Sequence, residues 1–143
     1  MKKLLISLVL IVFITCTAFA KTGKITLYID GFRSDKGVVK IGLFSSKEGF
    51  PDQPQKAFKS LISQINNRKS EAIFADIPFG TYAIGILHDE NLNNKMDTKF
   101  FGIPQEGFGA SNDAKGLFGP PSFNDAKFVL DSTNCNLNIK VQY

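Results

Sequence analysis

After residue 20 the chain is cut into short stretches whose apolar residues recur at every second position. A period of two fits a strand with one buried face, whereas a helix needs a period near 3.6. In residues 24–30, Ile25, Leu27 and Ile29 fall on one side and Thr26, Tyr28 and Asp30 on the other. Residues 38–44 repeat the pattern with Val39, Ile41 and Leu43. The polar, glycine-bounded turn 31–37 between them predicts a hairpin with a longer loop. Residues 55–65 fit both periods, and we read them as a short turn or helix near 55–58 followed by a strand. Residues 66–69 form a turn, 70–76 a strand, and Pro78-Phe79-Gly80 a tight turn. Residues 81–88 are apolar on both faces, which predicts a central strand, and Gly85 inside it predicts a bulge or a close backbone approach. Residues 126–131 and 136–143 supply two closing strands.

About seven short strands with little helix predict an all-β fold, a two-sheet antiparallel β-sandwich of the immunoglobulin or transthyretin kind. Residues 99–123 hold five Phe, five Gly and three Pro. They read as a long ordered loop whose aromatics need somewhere to pack. A hydrophobic share of 43% with 14 Phe excludes a disordered chain.

The first 20 residues have the layout of a secretory signal. Met1-Lys2-Lys3 is basic, residues 4–15 are apolar apart from Ser7, and Ala18-Phe19-Ala20 places small residues before Lys21. Two alternatives fit the same stretch: an uncleaved anchor, and a lipoprotein that starts at Cys16. Thr15 stands where a lipoprotein signal carries Gly, Ala or Ser, and the cleavage signature argues against an anchor. The expectation is therefore a signal peptide over 1–20 and one domain over 21–143, periplasmic or secreted, with no membrane span after cleavage.

Lys2 and Lys3 leave with the signal. Of 17 basic residues 15 remain against 13 acidic ones, a net +2. That balance gives a nucleic-acid role no support. One histidine excludes a His-rich metal site, and two cysteines exclude a disulfide scaffold. Cys135, in an expected strand, reads as a small buried hydrophobe.

The stretch from Asp89 to Asp97 carries the most chemistry. Asp89, Asn91, Asn93 and Asp97 stand at positions 1, 3, 5 and 9 of a loop with calcium-ligand spacing, and the carbonyl of Lys95 falls at position 7. Calcium needs six to eight oxygens, and alternate residues of a curled loop turn theirs to one centre. Asn94 replaces the usual glycine at position 6, a mild change because asparagine tolerates the left-handed conformation. Phe100 replaces the bidentate glutamate at position 12, so a further carboxylate must come from Glu90, Glu106 or Asp113. The competing reading is an Asn/Asp-rich turn that caps its own backbone. The strand-then-loop context resembles calcium-binding β-modules of bacterial surface proteins.

A wider resemblance rests on three runs. His88-Asp89-Glu90-Asn91-x-Asn93-x-Lys95-x-Asp97-Thr98 leads into Phe101-Gly102-Ile103-Pro104-x-Glu106-Gly107-Phe108-Gly109-x-Ser111-Asn112. Phe118-Gly119-Pro120-Pro121-Ser122-Phe123 follows. With Phe50-Pro51 and Pro78-x-Gly80-x-Tyr82-Ala83, this resembles the exported bacterial family called domain of unknown function 2141, over nearly the whole chain after the signal. Leu92 and Asn94 depart from it, since the family more often has Gly there. The resemblance implies no activity, substrate or catalytic residue.

His88 sits where the central strand meets this loop. A general base or a metal ligand is one role for it; an orienting residue that hydrogen-bonds the loop or an aspartate is the other, favoured because no Ser or Cys nucleophile motif accompanies it. Ser111 lies in Gly-Ala-Ser-Asn, which is no nucleophile elbow. Phe100, Phe101, Phe108, Phe118 and Phe123 either line a ligand groove or cover an open edge, and we expect the covering role. The function expected is an exported, non-enzymatic module that binds calcium through the Asp89–Asp97 loop and engages an envelope protein or glycan. The alternatives are a small periplasmic hydrolase centred on His88 and Asp89, or a structural envelope protein without an ion.

Overall fold

The computed structural model describes residues 20–143. The expected signal segment and Cys16 lie outside the described residues, Ala20 excepted. Eight strands follow in order: β1 (Thr22–Asp30), β2 (Val38–Phe44), β3 (Lys59–Ser63), β4 (Ser70–Pro78), β5 (Gly80–Asp89), β6 (Gly107–Ala110), β7 (Phe128–Leu130) and β8 (Asn134–Lys140). One sheet runs β4-β1-β8 and the other β3-β2-β5-β6, with β7 paired to the start of β5. The expected two-sheet β-sandwich is what the chain forms. Every pair is antiparallel except β1 with β8, which run parallel from Lys24 beside Asn134 to Asp30 beside Lys140.

The period-two residues form the filling. Ile25, Leu27 and Ile29 of β1, Phe74 of β4 and Ile139 of β8 share one buried cluster with Val39, Ile41 and Leu43 of β2 and Ile84 and Ile86 of β5. Each such side chain contributes about 1.5–3 kcal/mol by leaving water. Among the described residues no helix is long and apolar enough to cross a membrane.

β5 is central, and its outer face explains its second set of apolar residues. Ala83 packs there with Ala110 and with Ala126 of the short helix α1 (Phe123–Ala126), and Phe50 and Phe123 close over them. The ladder to β2 runs from Val38–Asp89 to Phe44–Ala83 without a slip, so Gly85 marks a close approach and not a bulge. A Cβ at Gly85 would lie 2.9 Å from Pro51 Cβ and 3.1 Å from its carbonyl oxygen. Pro51 therefore rests on bare backbone.

Several expectations are corrected. β1 and β2 lie in different sheets and form no hairpin. Alternation marks which face is buried and leaves the partner open. The turn between them carries Phe32, 2% exposed, which closes one end of the core. An eighth strand, β6, lies inside the glycine-rich loop, where Gly107 and Gly109 hide its strand character. A Cβ at Gly107 would meet Val141 Cγ1 at 2.5 Å, which would force a shift, and one at Gly109 would press on the Ile139 and Ile86 side chains at 3.1 Å. Residues 123–126 begin as helix, so the seventh strand starts two residues later than expected, at Phe128. The loop aromatics divide: Phe123 packs edge-on against Phe50 at 5.9 Å, whereas Phe100, Phe101 and Phe118 are exposed and cover nothing. Cys135 is half-buried against the core, and burial pushes its thiol up.

Gly85→Val should lower stability by about 1–3 kcal/mol through overpacking against Pro51. Urea unfolding would measure this, with Ile62→Thr on the exposed face of β3 as the near-neutral reference.

Candidate functional site

β5 ends on two polar residues, His88 and Asp89, that have no exposed surface. Such groups persist in a core only when every polar atom finds a partner. The Lys36 carbonyl oxygen lies 2.7 Å from His88 Nε2. A carbonyl only accepts, so Nε2 carries the hydrogen. Nδ1 lies 2.6 Å from the Tyr143 hydroxyl, which accepts the Arg33 N–H at 3.0 Å and gives its own hydrogen to the ring. The ring also meets Phe32 edge-on at 5.1 Å. His88 thus ties the turn 31–37 to Tyr143, and its ring bonds neither the Asp89–Asp97 loop nor an aspartate, contrary to the orienting role expected.

Asp89 starts the loop. Its Oδ1 accepts the Asn93 N–H at 3.1 Å; its Oδ2 accepts the Asn94 N–H at 3.0 Å and lies 3.0 Å from Lys40 Nζ. Burial pushes this carboxyl up, but the Lys40 ammonium and the two amides outweigh burial and hold it below the usual carboxylate range. Asn91 Oδ1 accepts the Asn93 N–H at 3.1 Å, and Asn93 Oδ1 accepts the Lys95 N–H at 3.0 Å. The side-chain amides of Asn91 and Asn93 donate to the Asp97 carboxylate, at 2.5 Å and at 2.9 and 3.0 Å. Leu92 and Asn94 take left-handed conformations, φ 61° and 68°, which curl the backbone.

Glu106 closes the loop at its mouth. It is 3% exposed, and its two oxygens accept the Glu90 N–H at 3.0 Å and the Asp97 N–H at 3.2 Å. Glu90 takes the Arg33 guanidinium, with Nε 3.1 Å from each carboxylate oxygen, and the Ser34 hydroxyl at 2.9 Å. The guanidinium hydrogen bond, ahead of burial's opposing push, holds the Glu90 carboxyl low. Arg33 also lies 4.5 Å over the Tyr143 ring. Of the three candidate extra carboxylates, Glu90 and Glu106 border the loop; Asp113 instead accepts the Lys140 N–H at 3.0 Å, on β8. Among the described residues no group of three or more His, Cys, Asp and Glu is placed to hold a metal ion, so the loop offers two carboxylates supplemented by asparagine and backbone oxygens. An open groove of about 640 Å³ runs beside it, bordered by Arg33, Ser34, Lys36, Asn91 and Gln105.

The same runs of sequence that build this loop match a family model described as an uncharacterized protein conserved in bacteria (DUF2141), over residues 27–138. The chain belongs to this family. No curated protein and no solved structure matches it. The matched span takes in His88, the whole loop, Glu106 and Ser111, and ends before Tyr143.

The structure brings Asp89, Asn91, Asn93, Lys95 and Asp97 into one curl, with Lys95 joined through its backbone N–H. Three partners were not foreseen. Arg33, Lys40 and Tyr143 lie 49 or more residues from Asp89, and local spacing holds no signal for such pairings. Ser111, wholly buried, joins β5 to α1: its hydroxyl accepts the Ile84 N–H at 2.9 Å and donates to the Ala126 carbonyl at 2.5 Å.

Tyr143→Phe keeps the ring and removes the hydroxyl, leaving His88 Nδ1 without its partner. It should cost about 1–3 kcal/mol in chemical denaturation. Asp89 and Glu90 titrate lower in the folded chain than in the unfolded one. Their stabilisation is complete above the ordinary carboxylate range, about pH 4, and is lost as pH falls through the lowered folded values. Thermal midpoints should therefore drop on acidification below about pH 4. Lys40→Met, which removes the cation beside Asp89, should make that drop shallower.

Proposed function

We propose that this protein is an exported, non-catalytic module that binds calcium through the loop from Asp89 to Asp97. The observation that carries the reading is the pre-set curl. Backbone amides of Asn93, Asn94 and Lys95 fix the side chains of Asp89, Asn91 and Asn93, and Asp97 is drawn in against the last two. Two carboxylates and the side-chain oxygens of two asparagines are donor types that suit a hard cation. Lys40 already sets one positive charge on Asp89. Calcium would displace that ammonium to solvent, and the Asn91 and Asn93 amides would rotate to present oxygen. Both changes oppose binding, as does the lack of a bidentate partner at Phe100, so the expected dissociation constant is about 10⁻⁴–10⁻³ M.

The hydrolase alternative has less to support it. Both ring nitrogens of His88 are engaged and the ring has no exposed surface, so it reaches no substrate. Beside the loop, the polar groove offers hydrogen-bonding groups to an envelope protein or glycan. Export rests on the Ala18-x-Ala20 signature, and N-terminal sequencing of the exported form should begin at Lys21; a lipidated Cys16 would contradict it.

Calorimetric titration with calcium tests the ion. At 100-fold excess over the dissociation constant, stability should rise by about 2.7 kcal/mol. Asp97→Ala should abolish that gain and is the cleaner variant, because Asp89 is wholly buried and belongs to the core's polar end. Lys40→Met should tighten binding. No calcium heat, with a melting midpoint indifferent to millimolar calcium, would leave the loop as a capped turn and favour the structural envelope protein.

A further inference from the structure

Immediately after Asp97 the chain makes a small hairpin. Thr98 and Pro104 pair as an antiparallel bridge, the Lys99 N–H donates to the Ile103 carbonyl at 2.7 Å, and the Gly102 N–H donates to the Lys99 carbonyl at 3.2 Å. At its base the Gln105 N–H donates to the Asp97 carbonyl at 2.8 Å, next to the Glu106 clamp. The tip is therefore held in shape, yet its apolar side chains face water: Phe100 is 89% exposed, Phe101 102% and Ile103 58%. A Cβ added at Gly102 would meet nothing within 4 Å, so the tip stands clear of the sandwich. Phe101 adopts φ 63° and ψ 22°, a conformation that suits glycine and is strained for an aromatic residue. A strained phenylalanine pointing into solvent adds nothing to the core.

We propose that this tip, from Lys99 to Ile103, inserts into the surface of an anionic phospholipid bilayer. Two arguments choose the occupant. Residues 98–105 carry Lys99 and no acidic side chain, so the tip pairs apolar rings with a cation that can meet lipid phosphates. The tip is also narrow. A stable contact between two copies of a chain buries about 1,200 Å² or more, which a few residues of hairpin cannot supply, and it would bring Lys99 of each copy near the other's. A bilayer closes around isolated protruding rings.

The test uses residues 20–143, which contain all eight strands and the shared core, in EDTA so that its outcome is independent of calcium. The chain has no tryptophan, so Phe101→Trp gives a lone indole at the tip. Its emission should shift to the blue with phosphatidylglycerol vesicles and be quenched by lipids brominated along the acyl chain. In sedimentation with the same vesicles, the otherwise natural chain should partition, and Phe100→Ser with Phe101→Ser should lower the partition coefficient about tenfold or more. Circular dichroism would confirm that the serine variant keeps the sandwich. Lys99→Glu should weaken binding, and phosphatidylcholine vesicles should bind less. An unshifted indole, equal binding to both lipids, or full partition of the serine variant would overturn the proposal. So would a concentration-dependent dimer, abolished by the serines, in the absence of vesicle binding.

Discussion

From Tyr82 to Asp89, β5 leaves almost nothing to water, and the rest of the molecule answers that constraint. One face fills the space between the sheets; the other lies under Phe50, Pro51 and Ala126. One edge is paired with β2 from Ala83 to Asp89. The opposite edge is shared, β7 taking residues 80–82 and β6 taking 85–88. The seam between them would strand a buried N–H at Ile84, and the Ser111 hydroxyl takes it. A serine that looks chemically interesting in the sequence thus completes a ladder where neither short strand reaches.

The same strand carries the problem of its own end. Running apolar residues up to His88 and Asp89 puts an imidazole and a carboxylate at the boundary of the core. Both are retained by partners from elsewhere: the turn 31–37, β2, the C-terminal residue and the loop's own amides. The loop curls back on its first residue, whose carboxylate takes the Asn93 and Asn94 amides.

Seven of the eight strands were readable, β1 and β2 together with their buried faces, because period two is a local property. Strand partners were not readable; the polar turn 31–37 looks the same whether it closes a hairpin or crosses the core. β6 was hidden by its glycines, whose reason lies in Val141, Tyr143 and Ile139, far along the chain. The oxygens of the loop were legible through their spacing. Their cationic partner was not, since Lys40 on β2 reaches Asp89 only once the β2–β5 ladder is in register. The loop aromatics misled because composition counts rings without saying where they point.

The parallel pairing of β1 with β8 has a consequence for how the chain comes into being. A protein is made, and passes any membrane, from its N-terminus. β1 is the middle strand of its sheet, yet one of its two neighbours, β8, starts only at residue 134. Until β8 arrives, β1 holds an open row of amide and carbonyl groups beside apolar side chains, which is the surface on which chains stick to each other. Contacts of such sequence separation also form slowly. The sheet is thus closed by a strand made long after the one it covers. A ribosome stalled or a translocation halted before β8 leaves a chain with most of its core residues and an unguarded edge.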